Sequence, residues 1–146
     1  MTTRTTYPLI VIAIIAICGL AYFKFGSKLA IPPPSDESAL SKPMVNVTIP
    51  ELTGIAKIGE LAFNAKCALC HGENAAGKGG AGPPLVHKIY EPSHHGDGAF
   101  LLAAQNGVRA HHWNFGSMPP VEGVTSGDVK AITAYIRALQ RENGIN

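Results

Sequence analysis

The chain has 146 residues, a formal net charge of +2, 16 glycines, 11 prolines and 3 cysteines. That length holds one small domain with accessories, and no basic stripe marks it as a nucleic-acid binder. Its charged fraction of 15% lies below the roughly 25% of ordinary soluble chains, and the shortage is concentrated at one end.

Between Arg4 and Lys24 runs "TTYPLIVIAIIAICGLAYF", nineteen residues without a charge. As a helix it would span roughly 28 Å, near the ~30 Å hydrocarbon core of a bilayer. Tyr7, Tyr22 and Phe23 lie at its ends, where aromatic rings favour the interface. Residues 1–25 therefore read as a transmembrane anchor. A cleaved signal peptide and a lipoprotein joined at Cys18 are the alternatives. Arg4 before the segment and Lys24 and Lys28 after it do not fix orientation.

Residues 26–50 contain five prolines, three of them consecutive, and no apolar periodicity. Such a stretch reads as a semi-extended, Pro-rich flexible linker. The folded part is expected from 51 to 146, with eight Lys or Arg against eight Asp or Glu.

Three helices are predicted there. In the first, Thr53 to about Lys66, Ile55, Ile58, Ala62 and Ala65 recur at helical spacing, and Leu61 and Phe63 widen the apolar face. Gly59 in its middle costs about 1 kcal/mol against alanine, so another element is expected to cross closely there. The second runs from Asp97, read as the N-cap, to Asn106, with Gly107 beyond its end. The third, Thr125 to about Asn143, opens on a Thr125–Asp128 capping box. It carries the stripe Val129, Ile132, Ile136 and Leu139, flanked by Tyr135. Between the helices lie Gly- and Pro-rich loops without strand alternation. The fold class is all-α, and loops this long suggest wrapping around something other than protein.

"KCALCHG", Lys66 to Gly72, decides the chemistry. A zinc site needs four ligands, and one C-x-x-C with oddly spaced histidines supplies no familiar set. A thioredoxin-type dithiol belongs at the start of a helix that follows a strand, whereas this pair ends a helix. A disulfide across two residues would constrain little and leave His71 unexplained. C-x-x-C-H instead reads as haem attachment, with Cys67 and Cys70 forming thioethers and His71 beneath the iron. That reading calls for an acceptor for the second ring nitrogen of His71, which the Pro83 carbonyl in "GPPL" offers. It also calls for a sixth ligand, which Met118 in "FGSMPP" offers. Tyr90 and Trp113 are candidates to line the pocket, with ordinary packing as the alternative.

From Glu51 to Asn146 the chain resembles a class I cytochrome c domain, especially those of membrane-anchored bacterial cytochromes. "CALCHG", "GPPL", "GSMPP" and the closing "YIRALQRENGI" carry the resemblance. It implies three main helices and long loops around one haem c, following the anchor and tether. It implies Cys67 and Cys70 as covalent attachment points, His71 and Met118 as axial iron ligands, and Pro83 as the acceptor behind His71. With both axial positions filled, the centre would transfer one electron and would not be an enzyme. A respiratory role follows from the resemblance, between membrane-bound partners such as a quinol–cytochrome c reductase and a terminal oxidase or reductase. The expected location is the cell inner membrane, single-pass, with the haem domain facing the periplasm. The alternatives are a haem c subunit of a larger oxidoreductase or terminal oxidase, and a haem ligand sensor or metal-handling protein. His94, His95, His111 and His112 motivate the last, because these doublets lie outside the general family pattern.

Overall fold

The computed structural model describes residues 42–146 and, before them, only Ile14, Ile15 and Leu20. The expected anchor and most of the expected linker fall outside the described residues. Among the described residues no helix is long and apolar enough to cross a membrane.

The domain is helical. Helix α1 spans Gly54–Lys66, α2 Ala68–His71, α3 Asp97–Asn106 and α4 Ser126–Glu142, with short 3-10 turns at Glu73–Ala75 and Lys88–Tyr90. Among the described residues only isolated β-bridges occur, one of them pairing Val108 with Met118.

Helix α4 forms where its local signals place it. Thr125 caps it, its hydroxyl accepting from Asp128 N at 3.1 Å while the Asp128 carboxylate accepts from Thr125 N at 2.8 Å. These bonds hold the Asp128 carboxyl below its ordinary pKa, the Thr125 backbone N–H contributing most. Thr125→Ala should cost about 1 kcal/mol of stability, read as a lower urea midpoint. A depressed carboxylate stabilises above its unfolded pKa and ceases to as pH falls through the folded value. The Thr125 hydroxyl also donates to that carboxylate, at 2.7 Å, and alanine removes this bond while keeping the backbone one, so part of the difference between Thr125→Ala and the parent should disappear below about pH 4.

Helix α1 packs against α4. Phe63 is fully buried against the fully buried Tyr135, ring centroids 5.5 Å apart. Leu85, Val86, Ile132, Ile136 and Leu139 complete the core. The face that α1 buries differs from the expected one. Gly59 and Phe63 are its buried residues, whereas Ile55, Ile58 and Leu61 are 45%, 62% and 66% exposed. The cause is the crossing at Gly59, where a Cβ would lie 1.9 Å from the Ala131 carbonyl oxygen. Two backbones so close turn the small-residue side of α1 inward and its isoleucines outward.

Two further expectations are corrected. Asp97 is the first residue of α3, and Gly96 is the N-cap; the Asp97 carboxylate accepts instead from Arg137 Nε at 2.8 Å. The linker expected to run free to Pro50 is held at its end. Met44 N and Val45 N both donate to the Ala76 carbonyl, at 3.0 and 3.1 Å. Thr48 exchanges two hydrogen bonds with the Asn143 side chain, at 2.9 and 2.8 Å. Backbone pairing of this kind needs no apolar pattern, so composition does not reveal it.

Candidate functional site: a haem-sized cavity

Helix α1 runs into the short α2, which presents Cys67, Cys70 and His71 within a single turn. Cys70 N and His71 N both donate to the Cys67 carbonyl, at 3.1 and 2.9 Å. The two cysteines form no disulfide, and Cys67 is half-buried and Cys70 exposed. Burial, and secondarily the neighbouring Cys70, push the Cys67 thiol up to about 11. Among the described residues no strand precedes the pair, so the setting of a thioredoxin-type dithiol is absent. Among the described residues neither thiol belongs to a group of side chains that could hold a metal ion, which argues equally against zinc.

His71 lies behind the thiols with its Nδ1 2.9 Å from the Pro83 carbonyl oxygen. Burial lowers its pKa, and the bond to Pro83 offsets part of that. The imidazole is therefore held neutral, with its proton on Nδ1 and the Nε2 lone pair free.

Met118 arrives by a different route. Helix α3 ends at Gly107, which turns at φ +72 and whose Cβ, if present, would lie 2.4 Å from the Met118 carbonyl oxygen. The chain then pairs Val108 with Met118 through two 2.9 Å backbone bonds. Residues 109–117 form a closed loop above this pair, and Pro119 and Pro120 stiffen the exit.

These elements line a half-open cleft of about 690 Å³. Cys67, Cys70, His71, Pro83 and Met118 all line it, together with Tyr90 and Trp113. The remaining wall is largely apolar, including Leu85, Phe100, Ile132 and Ile136. Every residue singled out for the site in the sequence thus borders one space, reached from four separate segments.

Two features were not anticipated. Trp113 Nε1 is buried without a hydrogen-bond partner, although the Tyr90 phenol beside it feels the indole. Burial raises the Tyr90 pKa, and the indole draws it partly back. A buried N–H without an acceptor is costly, and this one is available to a carboxylate. The second is Arg137, buried on α4. It donates to the carbonyls of Tyr90, at 2.7 Å, and His95, and so fixes the turn that carries Tyr90 and His95. An arginine one step from an apolar stripe was the only sequence sign of it.

Comparison with known proteins adds one positive finding. The family model "Cytochrome c" matches residues 56–140, more than half of the chain. A search of the curated proteins finds no match. The family carries covalently bound haem c, and the residues present fit that group: two thiols one turn apart, an oriented neutral imidazole, a thioether, an apolar wall, and an orphaned indole N–H suited to an acidic substituent. Haem supplies reversible one-electron chemistry at iron. The domain is accordingly an electron-transfer haem protein.

Proposed function

This chain belongs to the cytochrome c family, and from that premise we propose that it is a membrane-anchored monohaem carrier in a respiratory chain. Cys67 and Cys70 would hold the haem as thioethers, and His71 and Met118 would be its iron ligands. The observation that carries this reading is the single cavity bordered by His71, already oriented by Pro83, and by Met118, pinned through Val108. Pro83 keeps the proton on Nδ1 of His71, so that Nε2 is the ligand nitrogen. The paired backbone of Val108 and Met118 fixes where the thioether begins. Apolar side chains exclude water, and a neutral sulfur ligand with low polarity around it favours ferrous iron. Held by both ligands, the haem would supply one-electron transfer and would leave no iron position for a substrate.

The uncharged segment at 5–23 anchors the chain in the inner membrane, with the domain in the periplasm, where cytochromes of this type mature. A tether keeps the domain near membrane-bound partners such as a quinol–cytochrome c reductase and a terminal oxidase or reductase. That raises local concentration where a near-neutral surface gives little electrostatic steering.

The test is the visible spectrum of the holoprotein, oxidised and reduced, with and without carbon monoxide. The expected result is a low-spin haem with a methionine–iron charge-transfer band and no response to carbon monoxide. Met118→Ala should remove that band and make the reduced protein bind carbon monoxide. Ready carbon monoxide binding by the parent would overturn the six-coordinate assignment. Absence of covalent haem would overturn the whole reading.

A second reading, a haem c subunit of a larger oxidoreductase, is favoured by the exposed Ile55, Ile58, Leu61 and Leu69, the last 77% exposed. Large apolar side chains left in water often mark a protein contact. A subunit stays with its complex in mild detergent at raised salt, whereas a carrier leaves.

A further inference from the structure

Four of the six histidines of this chain lie outside the ligand set proposed above, and they meet at one place. His94 and His95 lie in the turn before α3, and His111 and His112 in the loop before Met118. Their rings interlock. Centroids are 4.5 Å apart for His94–His95, 5.2 Å for His94–His112, 5.3 Å for His95–His112 and 4.2 Å for His111–His112. One ligand nitrogen from each of His94, His95 and His112 lies within 4.8 Å of the other two.

Proximity alone would make this a crowded surface patch. The hydrogen bonds say more. His94 Nδ1 lies 3.0 Å and His95 Nδ1 2.7 Å from one acceptor, the Ile89 carbonyl oxygen. A carbonyl oxygen has two lone pairs and can take both donors. His111 Nδ1 is held in the same manner by the Arg109 carbonyl, at 2.8 Å. Each of these rings therefore carries its proton on Nδ1 and leaves Nε2 as a free lone pair. This is the arrangement that backbone carbonyls impose on metal-binding histidines. The Ile89–His95 turn is itself anchored, since Arg137 donates to the Tyr90 and His95 carbonyls.

We propose that His94, His95 and His112 bind one divalent transition-metal ion of the Cu²⁺ or Zn²⁺ class, with His111 available as a fourth imidazole. An all-imidazole donor set suits these ions and not Mg²⁺ or Ca²⁺, which take oxygen ligands. Metal–nitrogen bonds of about 2.0–2.1 Å in a tetrahedral site place the nitrogens roughly 3.3 Å apart. Rotation of the exposed His112, with small shifts of His94 and His95 about their hydrogen bonds to Ile89, covers the contraction from the spacing seen here. The ion would join the turn at 89–95 to the loop at 109–117, two segments that both border the cavity and of which the second ends at Met118. His95, His111 and His112 themselves line that cavity, so the site stands beside the haem pocket without using its ligands.

The experiment is isothermal titration of the metal-stripped holoprotein with Zn²⁺ at pH 7.5 in a non-chelating buffer, with the haem spectrum recorded throughout. One ion should bind per chain with a dissociation constant in the micromolar range or tighter. The His94→Ala/His112→Ala double variant should bind at least 100-fold more weakly, with unchanged far-ultraviolet circular dichroism and thermal midpoint to show that it is folded. His87→Gln, which removes a histidine outside the cluster, should bind as the parent does. Copper electron paramagnetic resonance of the parent should show coupling to several nitrogens, reduced in the double variant. Absence of saturable binding, equal binding by the double variant, or one ion shared between two chains would each overturn the proposal. So would carbon monoxide binding that appears only in reduced His112→Ala, which would assign that ring to the iron. The haem assignment is read from the protein without added metal, so the two can fail separately.

Discussion

Gly59→Ala should lower the stability of the holoprotein by about 3 kcal/mol, a large share of the 5–15 kcal/mol that holds an ordinary domain together. Alanine is the better helix former and would by itself add about 1 kcal/mol. Packing outweighs that gain. The new methyl would lie 1.9 Å from the Ala131 carbonyl oxygen, 2.5 Å from its carbon and 3.0 Å from Ile132 N. These are backbone atoms of α4 and have no rotamer in which to escape. The helices must separate, which loosens Phe63 against Tyr135 at the next turn. Gly98→Ala is the matched control, since nothing lies within 4 Å of a Cβ there. That change should be neutral or stabilise by up to about 1 kcal/mol. Guanidinium unfolding of both variants reads the contrast as opposite shifts in midpoint at constant slope. If Gly59→Ala were as harmless as Gly98→Ala, the close crossing of α1 and α4 would be wrong.

That crossing also shows which parts of the structure the sequence makes legible. A glycine in mid-helix is a local cost, and its compensation by close packing could be anticipated. The capping box and stripe of α4 are likewise local, and they form where they are read. The buried face of α1 differs because apolar periodicity weighs bulk, whereas the contact is made by Gly59 and Phe63 with Ala62 beside them and leaves Ile58 in water. Asp97 carries the local signature of an N-cap, but its partner is an arginine forty residues away. Cys67, Cys70 and His71 announce themselves by spacing alone. Pro83 and Met118 follow only once a haem is supposed. The histidine doublets are plain in the sequence; their meeting is not, since it depends on how the Gly107 turn and the Ile89–His95 turn are placed. Local chemistry is readable from the chain, and convergence belongs to tertiary structure.

Arg137 is where that convergence is held, and Arg137→Met should cost about 3 kcal/mol while loosening one wall of the cavity. Methionine keeps the length of the side chain and loses every donor. Arg137 is only 7% exposed. It donates to the Tyr90 carbonyl at 2.7 Å, to the His95 carbonyl, to Gln140 Oε1 and to Asp97 Oδ1, and it lies 5.0 Å from the centre of the Phe100 ring. Gln140 supports the same turn, donating to the Leu85 and Tyr90 carbonyls at 2.8 and 3.1 Å. One planar fork thus joins α4, the start of α3 and the turn at 90–95. An ammonium cannot reproduce that geometry, so Arg137→Lys should recover less than half of the loss. The ion pair is the smaller part. The Asp97 side chain is 73% exposed, and solvent screens such a partner, so Asp97→Asn should cost under about 1 kcal/mol. Hydrogen exchange should then show amides 88–97 opening in Arg137→Met and remaining closed in Asp97→Asn. An equal loss in the two variants would place the stability in the ion pair. The turn that carries Tyr90 and His95 would then be held by charge and not by the capping of its carbonyls, and its order would fall with added salt.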